Sequence, residues 1–177
     1  MSSDLAWSHP LIVADIPEEG EEVTLAPDEE TRAALARLAN VIAMPTLSAQ
    51  LRVMPDGAGG AIVTGVLDAT VRQNCVVSLD PFDNRVHEDI ALAFAPEGAQ
   101  KANLGPDIEL DESDPSDSIK DGVIDLGAVV TEFLLLGIDP YPKKPGAVFT
   151  PVVTAKDESE NPFAALAKLK KKGHSAD

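Results

Sequence analysis

Thiol chemistry is nearly absent from this sequence: among 177 residues Cys75 stands alone. No disulfide can close within the chain, which fits a reducing compartment. Aromatic side chains are almost as scarce, one Trp, one Tyr and five Phe, so a core has to be assembled from Val, Leu, Ile and Ala. Positive charge is also short. Fourteen Lys and Arg face thirty Asp and Glu, a net charge of −16. Affinity for nucleic acid rests on neutralising phosphates with Lys and Arg. The balance therefore argues against a general nucleic-acid coat protein and leaves two openings, a basic protein partner or a local basic patch. Long apolar runs are missing too. Gly122 to Ile138 comes nearest but carries Asp125 and Glu132, and it is too short and too charged to cross a bilayer. The first residues, Met-Ser-Ser-Asp-Leu-Ala-Trp, have neither the basic nor the apolar stretch of a signal peptide. The expected location is the cytoplasm, with no membrane partner.

What is present reads as an α+β domain. Leu11-Ile12-Val13, between Pro10 and Pro17, predicts a short strand, and Glu22 to Leu25 a second. Pro27 at the first helical position, followed by Asp28, Glu29 and Glu30, predicts a helix through about Val41, with Leu35, Leu38 and Ile42 as its buried stripe. Leu47, Ala49, Leu51 and Val53 then alternate with polar residues, as do Val63, Gly65, Leu67, Ala69 and Val71. With the Gly-rich turn at 55–60 between them, they predict an antiparallel hairpin. Val86, Ile90, Leu92 and Phe94 alternate again, while 96–122 reads as an acidic loop. Asp125 is placed to cap a helix to about Leu136, apolar nearly all round and so expected to be buried. The architecture expected is an antiparallel sheet or partly closed barrel with two core helices over 1–145. A linker over 146–160 follows, and then a separate basic helix and tail over 161–177. In that tail Asn161-Pro162 start the helix, Phe163, Leu166 and Leu169 form an apolar edge, and Lys168, Lys170, Lys171 and Lys172 supply the charge.

Enzymatic and metal signatures are weak. Zinc wants about four Cys and His ligands, and Cys75, His9, His87 and His174 are not at ligand spacing. A catalytic Cys75 would need an oriented base; His87 is the one candidate, and a small apolar role at a strand end is the better reading. Asp107 to Glu112 alternates acids, but an EF-hand counted from Asp107 would put Glu112 where Gly is needed and Ser118 where Glu is needed. Gly57 to Gly60 lacks the Lys-Ser/Thr of a phosphate loop. Glu132, an acid on an apolar helix, is expected to pair with Arg72 or Arg85. No cofactor and no catalytic role are expected.

Three segments resemble the YceD family, the large ribosomal RNA subunit accumulation proteins. Cys75-Val76-Val77-Ser78-Leu79-Asp80-Pro81-Phe82 is similar to the family's central Cys-x-x-Cys-Leu-Glu-Pro stretch, with Ser78 where many members have a second cysteine. Ile124-Asp125-Leu126, then Glu132, the Leu-rich helix, Pro140 and Pro142, resemble its Ile-Asp-Leu signature. Asn161-Pro162-Phe163 through Leu166 and Leu169 resemble its C-terminal ending. The resemblance implies a non-enzymatic ribosome-biogenesis factor for large-subunit (23S) ribosomal RNA. Its expected partner is that RNA or its precursor particle, contacted directly or through a protein, with the tail residues as the contact. The competing reading, from the charge alone, is an acidic module that shields a basic protein such as a ribosomal protein.

Overall fold

The computed structural model describes residues 6–96 and 117–149. Strand β1 (Pro10–Ile12) leads through a single 3-10 turn to β2 (Glu21–Leu25) and helix α1 (Glu29–Leu38). Three long strands follow, β3 (Ala43–Pro55), β4 (Ala61–Asn74) and β5 (Pro81–Pro96). The short β6 (Asp117–Ile119) and β7 (Val123–Asp125) come next, and helix α2 (Leu126–Gly137) closes the order. The main sheet runs β2-β3-β4-β5-β6, and β1 pairs with β7 in a separate two-stranded ribbon. All pairs are antiparallel except β5 with β6.

The alternation in the sequence becomes the two faces of this sheet. Leu47, Ala49, Leu51 and Val53 on β3, Ala61, Val63, Leu67, Ala69 and Val71 on β4, and Val86, Ile90 and Phe94 on β5 are buried on one face. Between them Ser48, Gln50, Arg52, Thr64, Asp68, Arg72, Arg85, His87 and Asp89 face water. The β3–β4 hairpin sets Val53 opposite Val63 and Leu51 opposite Gly65. Its turn is tied by Asp56, whose carboxylate accepts the N–H groups of Ala58 and Gly60, both at 2.7 Å. Gly65 permits a close crossing within this long pair. A Cβ there would sit 2.9 Å from Leu51 Cα and 3.0 Å from the carbonyl carbon of Gln50, and would run into the Gln50 carbonyl oxygen.

Several expectations need correction. The sheet is open, with β2 and β6 as its edges, so the barrel alternative falls. Helix α1 starts two residues later than expected. Asp28 is the N-cap, accepting the Thr31 N–H at 2.8 Å, and Pro27 lies outside the helix. The chain leaves the helix at Asn40, which adopts a left-handed φ of 54° while the Val41 N–H reaches back to the Ala36 carbonyl at 3.0 Å, the usual Asn-type C-cap geometry. Leu38, the last helical residue, and Ile42, beyond the helix, are exposed at 54% and 52%, and the buried contacts come from Leu35 and Ala36. The segment read as a loop from 96 to 122 contains β6, which adds to the sheet beside the end of β5. Helix α2 buries Leu126, Gly127, Val129, Val130 and Leu134 but leaves Leu135 and Leu136 in water, so it is one-sided rather than engulfed. Of the expected linker only 146–149 is described. The basic helix over 161–177, with Phe163, Leu166, Lys168, Leu169, Lys170, Lys171 and Lys172, lies outside the described residues. Among the described residues no helix is long and apolar enough to cross a membrane.

Candidate functional site

The residues singled out by motif separate into two groups, with Glu132 apart from both. Ile124 and Leu126 are core residues at 2% and 0% exposure, and Asp125 between them is the N-cap of α2. Its Oδ1 accepts the N–H groups of Gly127 at 3.0 Å, Ala128 at 3.1 Å and His9 at 2.8 Å, while Oδ2 accepts the Ser8 hydroxyl at 2.6 Å. Partial burial pushes this carboxyl's pKa up. The Ser8 hydroxyl and the three N–H groups outweigh it, and the group titrates below its ordinary value. One carboxylate thus fastens the start of the described chain to the start of α2.

The second group meets at the far end of β4. Cys75 follows the last residue of that strand and is fully buried. It is the small buried side chain at a strand end that the sequence suggests, and its sulfur has polar contacts as well. Its Sγ accepts the N–H groups of Val77 and Ser78 at 3.4 Å and of Lys144 at 3.3 Å. The Ser78 N–H does most to favour the thiolate; burial opposes it, and Lys144 and Val77 add to it, so the thiol comes down to about 6 from 9.0. The backbone is clamped as well. The Cys75 N–H donates to Asp80 O and the Leu79 N–H to Cys75 O, both at 2.9 Å, and the Val76 N–H donates to Pro142 O at 2.9 Å. Pro142 is buried and Pro140 exposed. Pro81 opens β5 and half-buried Phe82 lies opposite Gln73. The turn 75–80 and the strap 139–144 are therefore one tied unit.

Within that unit Leu79 is strained. Its φ is 62°, a region a bulky side chain enters at a cost of roughly 1–3 kcal/mol, and its side chain is 75% exposed. Sequence reasoning missed Gln73, which is 8% exposed and donates from Nε2 to the Asp139 carbonyl at 2.9 Å, joining β4 to the strap. The signal was available: Gln73 occupies an inward position in the alternation Val63, Leu67, Ala69, Val71.

Glu132 has no ion-pair partner among the described residues and is exposed. The expected pairing fails on geometry. Arg72 is held by Asp83 at 2.7 and 3.0 Å on the outer sheet face, where Arg85 also points, whereas α2 packs on the inner one. His87 likewise faces outward, and Asp68 at 2.9 Å raises its pKa. The register opposite Asp68 puts it seven residues along β4 from Cys75, roughly 23 Å by strand rise, so the two are not brought together. A separate open groove of about 560 Å³ lies between α1 and the start of β3, with Arg32 and Arg37 at its edge. The Arg32 Nε is buried without a hydrogen-bond partner among the described residues.

The Cys75 chemistry yields a pH-dependent prediction. The thiol's folded value lies below its unfolded one, so its contribution to stability is complete above about 9 and lost as pH falls through about 6. Cys75→Ser keeps a polar acceptor for the same N–H groups but cannot ionise. The melting-temperature gap between wild type and Cys75→Ser is expected to be small near pH 6 and to widen steadily toward pH 9. A gap that stays flat across this range would show that the thiolate contributes nothing.

Neither the curated proteins nor the solved structures contain a match to this chain. A family match is found, and it covers residues 63–170, from β4 through the turn at Cys75, the Asp125 cap, α2 and the strap. On that match the chain belongs to the family described as Large ribosomal RNA subunit accumulation protein YceD.

Proposed function

We propose that the protein is a non-enzymatic ribosome-biogenesis factor that acts in the cytoplasm to support the synthesis, processing or accumulation of 23S ribosomal RNA. The family match over residues 63–170 is the observation that carries this reading. The geometry is in keeping with it. Cys75 is engaged by backbone donors rather than by a base, and His87 is engaged by Asp68 far along the strand. Among the described residues of the matched region, exposed apolar side chains stand on the turn at 75–80, on α2 and on the strap, a property of surfaces that bind. The partner in this reading is the large-subunit RNA or its precursor particle, reached directly or through a protein.

Deletion of the gene is expected to lower large-subunit ribosomal RNA relative to small-subunit RNA. Quantifying both RNAs in total cellular RNA, with a plasmid copy as the rescue control, checks it. A ratio unchanged across several growth rates would overturn the reading for this protein.

A further inference from the structure

Scattered exposed apolar residues are normal on a folded protein, whereas grouped ones mark a contact surface. Among the described residues up to Ala147, nine large apolar side chains are strongly exposed, and five of them lie at the Cys75 end: Val76, Leu79, Leu135, Leu136 and Tyr141. Leu79, Leu136 and Tyr141 are 75%, 76% and 76% exposed. They sit on three segments fastened to one another. The Val76 N–H donates to Pro142 O, the Gln73 side chain binds the carbonyl of Asp139 just past α2, and Lys144 N–H meets Cys75 Sγ. The shelf is therefore preorganised, which removes much of the ordering cost of binding. Leu79 sharpens the point. A glycine would adopt the same φ without strain, yet the position holds a leucine aimed at water.

The charge around the shelf selects its occupant. Among the described residues Asp80, Glu132 and Asp139 are exposed on these segments; Asp80 and Lys144 pair at 3.6 Å and offset each other, which leaves Glu132 and Asp139 against Lys143. The described residues up to Ala147 carry 8 Lys and Arg against 19 Asp and Glu, net −11. Such a field repels phosphate chains and a second copy of the same acidic chain, and it draws in cations. We propose that the shelf docks a basic, amphipathic segment of a protein. Its apolar side lies on Leu79, Leu136, Val76 and Tyr141, and its Lys and Arg face the acidic surround. The proposal deepens the ribosomal reading by naming the partner's chemistry, and it rests on that reading only for where the partner is sought.

The test places a photo-crosslinking amino acid, p-benzoylphenylalanine, at Leu136 of the full chain in living cells, with Ile62 on the outer sheet face as the control position. The expected adduct at position 136 is a protein rich in Lys and Arg, identified by mass spectrometry and absent from position 62. Adding Leu79→Gly and Tyr141→Ala should cut its yield about tenfold, as when one or two anchor residues are lost. The melting temperature of that double variant should fall by no more than about 3 °C, since neither side chain is packed and glycine relieves the strain at position 79. An adduct with RNA, with a second copy or with an acidic protein overturns the proposal. So does no adduct, or one indifferent to Leu79 and Tyr141. A basic partner with a normal ribosomal RNA ratio on deletion would sink the ribosomal reading alone. A lowered ratio without this adduct would sink the shelf alone.

Discussion

Gly65→Ala is expected to lower the melting temperature by about 10 °C, corresponding to roughly 3 kcal/mol. The added methyl would meet backbone, not a side chain that could rotate away. Leu51 Cα at 2.9 Å, the Gln50 carbonyl carbon at 3.0 Å and the Gln50 carbonyl oxygen all lie in its path. Relief requires β3 and β4 to separate where Leu51, Gly65 and Ile90 stand abreast, and both Leu51 and Ile90 are core residues at 3% and 2% exposure. Overpacking usually costs about 1–3 kcal/mol when side chains can yield, so a backbone collision belongs at the upper end. The measurement is a thermal melt followed by circular dichroism. A melting temperature within about 2 °C of wild type would mean that the strands are not this close.

Asp125→Ala should be nearly as damaging, about 2–4 kcal/mol, because four donors lose one acceptor. Loss of an N-cap alone costs about 1 kcal/mol, and charge-assisted bonds from the His9 N–H and the Ser8 hydroxyl are each worth more than neutral ones. Asp125→Asn keeps an oxygen for the cap and should lose about half as much. The effect has a pH signature. The native carboxyl titrates below its ordinary 3.8, so its contribution is present above the unfolded value and disappears as pH falls through the lower native one. Wild type and Asp125→Ala should therefore converge in stability below about pH 4. Denaturant unfolding at pH 7 and at pH 3 reads both claims, and an equal difference at the two pH values would show that charge plays no part.

The parts of the fold legible in the sequence were those with a period and a punctuation mark. The β3–β4 hairpin had strict alternation on both sides of a Gly-rich turn, and Asp125 before an apolar run announced its cap. β6 escaped because three residues, Asp117 to Ile119, are too few to display a period. Ile42 misled because the pattern continued past the point where Asn40 ended the helix, and Leu38 because the last helical residue lies in water despite its helical spacing from Leu35. At the candidate site, Cys75, Leu79 and Pro142 were marked by resemblance, but their roles were not visible. A sulfur that accepts three backbone N–H groups looks, in a sequence, like any small apolar residue. Glu132 drew attention as the sole charge between Leu126 and Leu136, yet it lies on the water side of α2. Composition marks a residue as unusual without saying which way it faces.

The ribbon of β1 with β7 has a consequence in time. Ser8 and His9 bind Asp125 across 117 and 116 positions of sequence. At a synthesis rate of about 5–20 residues per second, the residues that complete this contact appear roughly 6–23 s after the first strand has been made. During that interval β1 has no neighbour to pair with, while the β3–β4 hairpin can already zip locally. Contacts of such long separation close late and slowly. β1 leaves the ribosome well before its partner β7 and is therefore among the last of the described strands to find its place.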